Sequence, residues 1–136
     1  MTDAQANATR IIARIAGPYL IFIAIIMFSL YEQLPLILPA FAHDKPLLLV
    51  TGAFTTVIGL TALAFHHHLT SIAAIVVTVL AALITLRGVM LGLTPELVIG
   101  MATQVARNPI VMLVATALSA LLGIYLTFVG WVAKRA

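Results

Sequence analysis

"LAFHHHLTSI" (residues 63–72) decides the architecture, because His66, His67 and His68 are all that separates two long apolar runs. Upstream lies "PLLLVTGAFTTVIGLTALAF" (46–65) and downstream "LTSIAAIVVTVLAALITLRGVMLGL" (69–93). Each run meets the roughly 20 apolar residues needed to cross about 30 Å of hydrocarbon. So short a break between two such helices forces an antiparallel hairpin. The histidines are therefore expected to form a polar turn, with their imidazoles serving the amides and carbonyls at the two helix ends. Two other roles stay open for them: a proton or partner contact, and a metal or haem site.

Composition agrees with a lipid environment. Hydrophobic residues make up 63% of the 136 and charged residues 8%, against about 45–50% and about 25% in soluble domains. So few charges cannot cover so much apolar surface in water. The net charge of +3 comes from scattered basic residues, not from a basic face with reading side chains, so nucleic acid is not an expected partner. The absence of cysteine excludes disulfides, thiolate metal sites and cysteine nucleophiles.

Two further spans complete the set. "PYLIFIAIIMFSL" (18–30) is the heart of a first span over about 11–31, preceded by an amphipathic stretch with Arg10 and Arg14 one turn apart. Gly17-Pro18 marks a bend or a fresh helix start there. A cleaved signal peptide ending near Ala40-Phe41-Ala42 is the alternative reading, disfavoured by the length of the apolar stretch. In "YEQLPLILPAFAHDKP" (31–46), Pro35, Pro39 and Pro46 are expected to break helix, leaving an interfacial segment. Thr94, Pro95 and Glu96 open an amphipathic helix over about 95–107, with Thr94 as N-cap, and Asn108-Pro109 closes it. The last span runs over 109–132 and ends at Trp131, Lys134 and Arg135, an interfacial anchoring pattern.

The fold expected is all-α: four transmembrane helices (about 11–31, 46–65, 69–93 and 109–132) in an antiparallel bundle, with an interfacial helix between spans three and four. Four spans put both termini on one side. That side collects Arg10, Arg14, Lys134 and Arg135 against Lys45 and Arg107 opposite, plus Arg87 near the far end of span three, so the positive-inside rule places both termini and the histidine turn in the cytoplasm of a bacterial inner membrane.

Small residues should hold the bundle, since lipid gives helices no hydrophobic drive to associate. The expected contacts are Ala115, Ser119, Gly123 and Thr127 on span four. Span three offers Ala74, Thr78, Ala82, Thr85, Gly88 and Gly92, and span two Thr51, Thr55 and Gly59. From Pro18 onward span one shows only Ala24 and Ser29 as small residues and is expected to face lipid or a bulky partner.

Chemistry-bearing groups are few. Three adjacent helical side chains diverge by about 100° each and cannot easily converge on one ion. His43, the remaining histidine, falls at the opposite membrane face. His66, His67 and His68 are thus weak metal candidates, and no cofactor is expected. Arg87 is the one charge well inside an apolar run, which marks it as a contact, together with Glu96, for an anionic lipid or partner carboxylate, as a snorkelling cation, or as a structural pair with Glu96, Asp44 or Glu32. Asp3, Glu32, Asp44 and Glu96 all lie in loops or at helix ends, so no acid sits mid-span where a proton-coupled carrier places one. No triad, paired carboxylate or phosphate loop is present, and catalysis is not expected.

"AFHHHL" (64–69) and "TLRGVMLGLTPE" (85–96) carry a resemblance, with His66 or His67, the Arg87-Gly88 pair and Pro95-Glu96 as its landmarks; "ARIAGPYLI" (13–21) adds to it. These pieces resemble a family of small uncharacterised bacterial four-span integral membrane proteins. In that family a span ends near A-H-N-x-W, and the next ends K-G before a short F-P-E segment. The asparagine and tryptophan after the histidine are missing here. The resemblance implies a membrane class and no activity. The expected role is a non-enzymatic accessory or stabilising subunit, packing on other membrane subunits or on itself. A small oligomeric transporter or channel is the alternative, and a haem- or metal-binding electron-transfer subunit the third.

Overall fold

The computed structural model describes residues 3–66 and 71–133; His67, His68, Lys134 and Arg135 lie outside them. Helices α1 (Asp3–Ser29), α2 (Leu34–His43), α3 (Lys45–Phe65), α4 (Ile72–Leu93), α5 (Pro95–Arg107) and α6 (Pro109–Thr127) follow in order, and α6 runs on into a π-helical turn, Phe128–Val132. No strand occurs among the described residues. Four helices are long and apolar enough to span a bilayer, over Ala6–Ser29, Lys45–Phe65, Ile72–Leu93 and Pro109–Val132. The protein is a small helical membrane protein.

Among the described residues, side-chain caps start α3, α4 and α6 and so fix the turns. Asp44 accepts from the Leu47 amide at 3.1 Å to open α3, and Ser71 accepts from Ala74 at 3.1 Å to open α4. Asn108 accepts from Ile110 and Val111 to open α6. Each satisfies amides that a helix start leaves without an internal partner. Thr94 behaves otherwise. Its hydroxyl donates backwards to the Met90 carbonyl at 3.2 Å, so it serves the end of α4 rather than capping α5.

Two antiparallel pairs make the bundle: α3 with α4, and α1 with α6 and its π-turn. The short helices α2 and α5 pack on each other at the opposite end from the histidine turn. There Leu48, Leu91 and Ile99 are buried beneath Leu38, Phe41, Ala42 and Val98.

Within each pair the backbones nearly touch, and glycine permits it. A Cβ on Gly59 would lie 2.8 Å from the Thr85 Cα, and one on Gly88 would lie 2.9 Å from the Thr56 Cα. The other pair repeats the device. A Cβ on Gly17 would come within 2.8 Å of the Thr127 Cα, and one on Gly123 within 2.9 Å of the Gly17 carbonyl. All three threonines turn their hydroxyls back to their own helix: Thr56 to Gly52, Thr85 to Ala81 and Thr127 to Gly123, at 2.7–2.8 Å. Each hydroxyl is thereby satisfied within its own helix, and the threonine backbone and Oγ1 lie directly against the facing glycine.

Three sequence expectations change. Pro18 does not divide α1, which is one helix of 27 residues. Consequently Thr9, Ala13, Gly17 and Ala24 form one buried face, and α1 has the small stripe that reading it from Pro18 onward concealed. Pro35 and Pro39 do not prevent α2. Pro35 occupies the first turn, where its missing N–H costs nothing, and Pro39 sits inside a ten-residue helix. On α3 the seam runs through Gly52, Thr56 and Gly59 rather than Thr51 and Thr55, and on α4 Ala82 is exposed.

The glycines separate into two classes with opposite consequences. Gly88→Leu and Gly59→Leu should each destabilise the bundle by about 1–3 kcal/mol through overpacking against backbone. Gly92→Ala and Gly100→Ala, whose added Cβ meets nothing within 4 Å, should be neutral or gain up to about 1 kcal/mol of helix propensity. Thermal unfolding in mild detergent, followed by circular dichroism, measures both.

Candidate functional site at the histidine end of the bundle

His66 ends α3 in extended backbone, φ −145° and ψ 97°, and its residue surface is 0% exposed. Its Nε2 shares a hydrogen bond of 2.5 Å with the Thr9 hydroxyl of α1, and its Nδ1 one of 3.0 Å with the Thr78 hydroxyl of α4. One imidazole thus ties three helices together. A neutral ring needs one donor and one acceptor partner, and a threonine hydroxyl can be either. Directly beyond it, Ala13, Val77 and Leu126 form the buried contact among α1, α4 and α6. This differs from an exposed turn serving helix-end carbonyls. A polar ring buried at the end of a hydrocarbon-facing bundle is stable only where its nitrogens are bonded.

Beside it the first and last helices are locked by a second polar set. Pro18 has no N–H, so the Arg14 carbonyl four residues earlier loses its helical donor. The Trp131 indole supplies one, its Nε1 donating to Arg14 O at 3.3 Å. In return the Arg14 and Arg10 Nε groups donate to the Gly130 carbonyl at 2.7 and 3.0 Å. That carbonyl belongs to the last turn of the helix, where peptide dipoles concentrate negative charge and a cation is favoured. The Arg14 guanidinium also stands 5.5 Å from the Trp131 ring centre, within cation–π range. Gly130 must be small here, since a Cβ would fall 2.7 Å from the Arg14 amide.

The remaining residues singled out in the sequence lie elsewhere. Arg87 is exposed on α4, six residues or about 9 Å before the helix end, within reach of a headgroup layer by snorkelling. Glu96 is exposed in the first turn of α5. It lines an open groove of about 400 Å³ with His43, Gly100, Thr103, Gln104 and Arg107, between α2 and α5. Ser119 is half-buried on α6. His67 and His68 fall outside the described residues, and no group of three His, Cys, Asp or Glu side chains suited to a metal ion occurs among the described ones.

Thr9 is the member of this joint least visible in the sequence. Its signal was the four-residue spacing Thr9–Ala13–Gly17, broken in the reading by Pro18. Trp131 read as a membrane anchor; its N–H found a second use because the proline frees a carbonyl. No family model matches this chain, and no curated protein or solved structure matches it either.

Two substitutions test the joint. His66→Leu removes its bonds to the Thr9 and Thr78 hydroxyls, which should cost about 1–3 kcal/mol, with His66→Gln costing less. Trp131→Phe keeps the ring but strands the Arg14 carbonyl and should cost about 0.5–1.5 kcal/mol. Both are read from melting midpoints in one detergent.

Proposed function

We propose that this chain is a non-enzymatic accessory subunit of a bacterial inner membrane, with both termini in the cytoplasm, packing beside other membrane subunits or copies of itself. One observation carries the reading: the surface offers apolar relief and almost no interior polarity. Only 17–22% of the most apolar window of each span is buried within the chain. Phe22, Phe28, Phe54, Leu83 and Leu118 each expose more than half their surface. Between α1 and α6 lies an open groove of about 260 Å³ lined by Ile21, Ala24, Ile25, Phe28, Thr116, Ala120 and Ile124. Such a surface binds hydrocarbon or helices and performs no chemistry.

The orientation is supported by Arg10 and Arg14, which sit at the end where α1 begins and α6 finishes. The resemblance to small four-span bacterial membrane proteins belongs to the same proposal. Against a transporter stands the location of buried polarity. Among the described residues Thr9 and His66 are the buried polar ones, both at one end, so they mark no path through the bundle. Against a haem ligand stands the engagement of both His66 ring nitrogens by threonines.

Native mass spectrometry after extraction in mild detergent tests the proposal. A stoichiometric membrane partner, or a defined complex of this chain through the α1–α6 groove, is expected. A lone symmetric oligomer that passes ions or solutes in liposomes contradicts it.

A further inference from the structure

The two guanidiniums at the start of α1 are held in an arrangement that their known contacts do not explain. Arg10 and Arg14 point their Nε groups at the same Gly130 oxygen, at 3.0 and 2.7 Å. Their Nε atoms are therefore within about 6 Å of each other, and like charges so placed repel appreciably even near a surface. One carbonyl at a helix end offers only about half an elementary charge in compensation. Among the described residues, the partners of the pair are that carbonyl and, for Arg14, the Trp131 ring. Asp3, the acid nearest in sequence, precedes Arg10 by seven residues, about 10 Å along the helix. Lys134 and Arg135 follow in the sequence and add charge of the same sign.

Each guanidinium carries five N–H donors, and the Gly130 bond uses one from each. The terminal nitrogens remain, on two planar groups whose inner edges are fixed in place. Such a pair matches the tetrahedral oxygens of a phosphate, which arginine binds in bidentate fashion. Trp131, exposed beside Arg14, is the residue type that settles at headgroup depth. We propose that Arg10 and Arg14, locked on Gly130 and flanked by Trp131, bind the phosphate of an anionic phospholipid headgroup. This rests on the chain lying in a membrane and does not depend on an accessory role. Failure to find a protein partner leaves it standing.

The chain's one tryptophan is 5.5 Å from the Arg14 guanidinium and reports on the site. The full chain in neutral detergent is titrated with phosphatidylglycerol, with phosphatidylcholine of the same acyl chains, and with inorganic phosphate. Phosphatidylglycerol alone should change Trp131 emission saturably. The half-saturation point should rise at least tenfold in Arg10→Gln/Arg14→Gln and stay unchanged in Arg87→Gln. Arg10→Lys/Arg14→Lys keeps the charge without the planar fork and should weaken binding severalfold, which decides the matter if the glutamine pair fails to fold. An equal response to phosphatidylcholine, or wild-type titration by the lysine pair, overturns the proposal. Saturation by inorganic phosphate as readily as by the lipid overturns the lipid assignment and gives the site to the free ion.

Discussion

Hydrocarbon withholds from this chain the force that folds most proteins. Apolar side chains gain nothing by leaving lipid for one another, so two helices stay together only where their backbones come close enough for dispersion to accumulate. Gly17 against Thr127, Gly59 against Thr85 and Gly88 against Thr56 provide that approach. The threonine half of each contact matters as much as the glycine half. With its hydroxyl bonded within its own helix, threonine sets its backbone and Oγ1 against the glycine, and its branched side chain has little freedom to lose on packing. Two hairpin-like units follow, one from consecutive helices and one from the first and last.

The contacts beyond the two helix pairs lie towards their ends, and only one end is polar. At one end His66 bridges Thr9 of α1 and Thr78 of α4. At the other, α2 and α5 cover Leu48, Leu91 and Ile99. Between those ends the spans turn most of their side chains outward. That division fits the physics of the medium. Near the ends polar groups can be matched by one another, by headgroups or by water, whereas at mid-depth, where none of these is at hand, the helices meet through shape. The Arg14 carbonyl freed by Pro18 is bonded by a distant side chain, that of Trp131.

Much of this was legible in the residues. Spans 46–65 and 109–132, the helix over 95–107, and the histidine hairpin follow from apolar length and capping chemistry, both local. Gly59, Gly88 and Gly123 were visible as close-packing positions for the same reason. What escaped depended on tertiary partners. Pro18 and Pro39 read as breaks because a proline's lost bond is predictable and its replacement is not. The Thr51–Thr55 and Gly52–Thr56 faces differ by one residue, about 100° of rotation, and only the position of α4 selects between them. His66 looked exposed because histidines at a turn usually are; its burial required knowing that Thr9 would arrive from 57 positions away.

The pairing of α1 with α6 across the length of the chain is the claim on which the bundle stands, and the absence of native cysteine makes it directly measurable. Ile25 and Ala120 line the same groove between those helices, whereas Phe54 lies exposed on α3. With a short thiol-reactive cross-linker in native membranes, Ile25→Cys/Ala120→Cys should link within one chain in high yield, and Ile25→Cys/Phe54→Cys should not. Efficient linkage of the second pair with none in the first would mean that α1 docks on α3, and the two-unit architecture would be wrong.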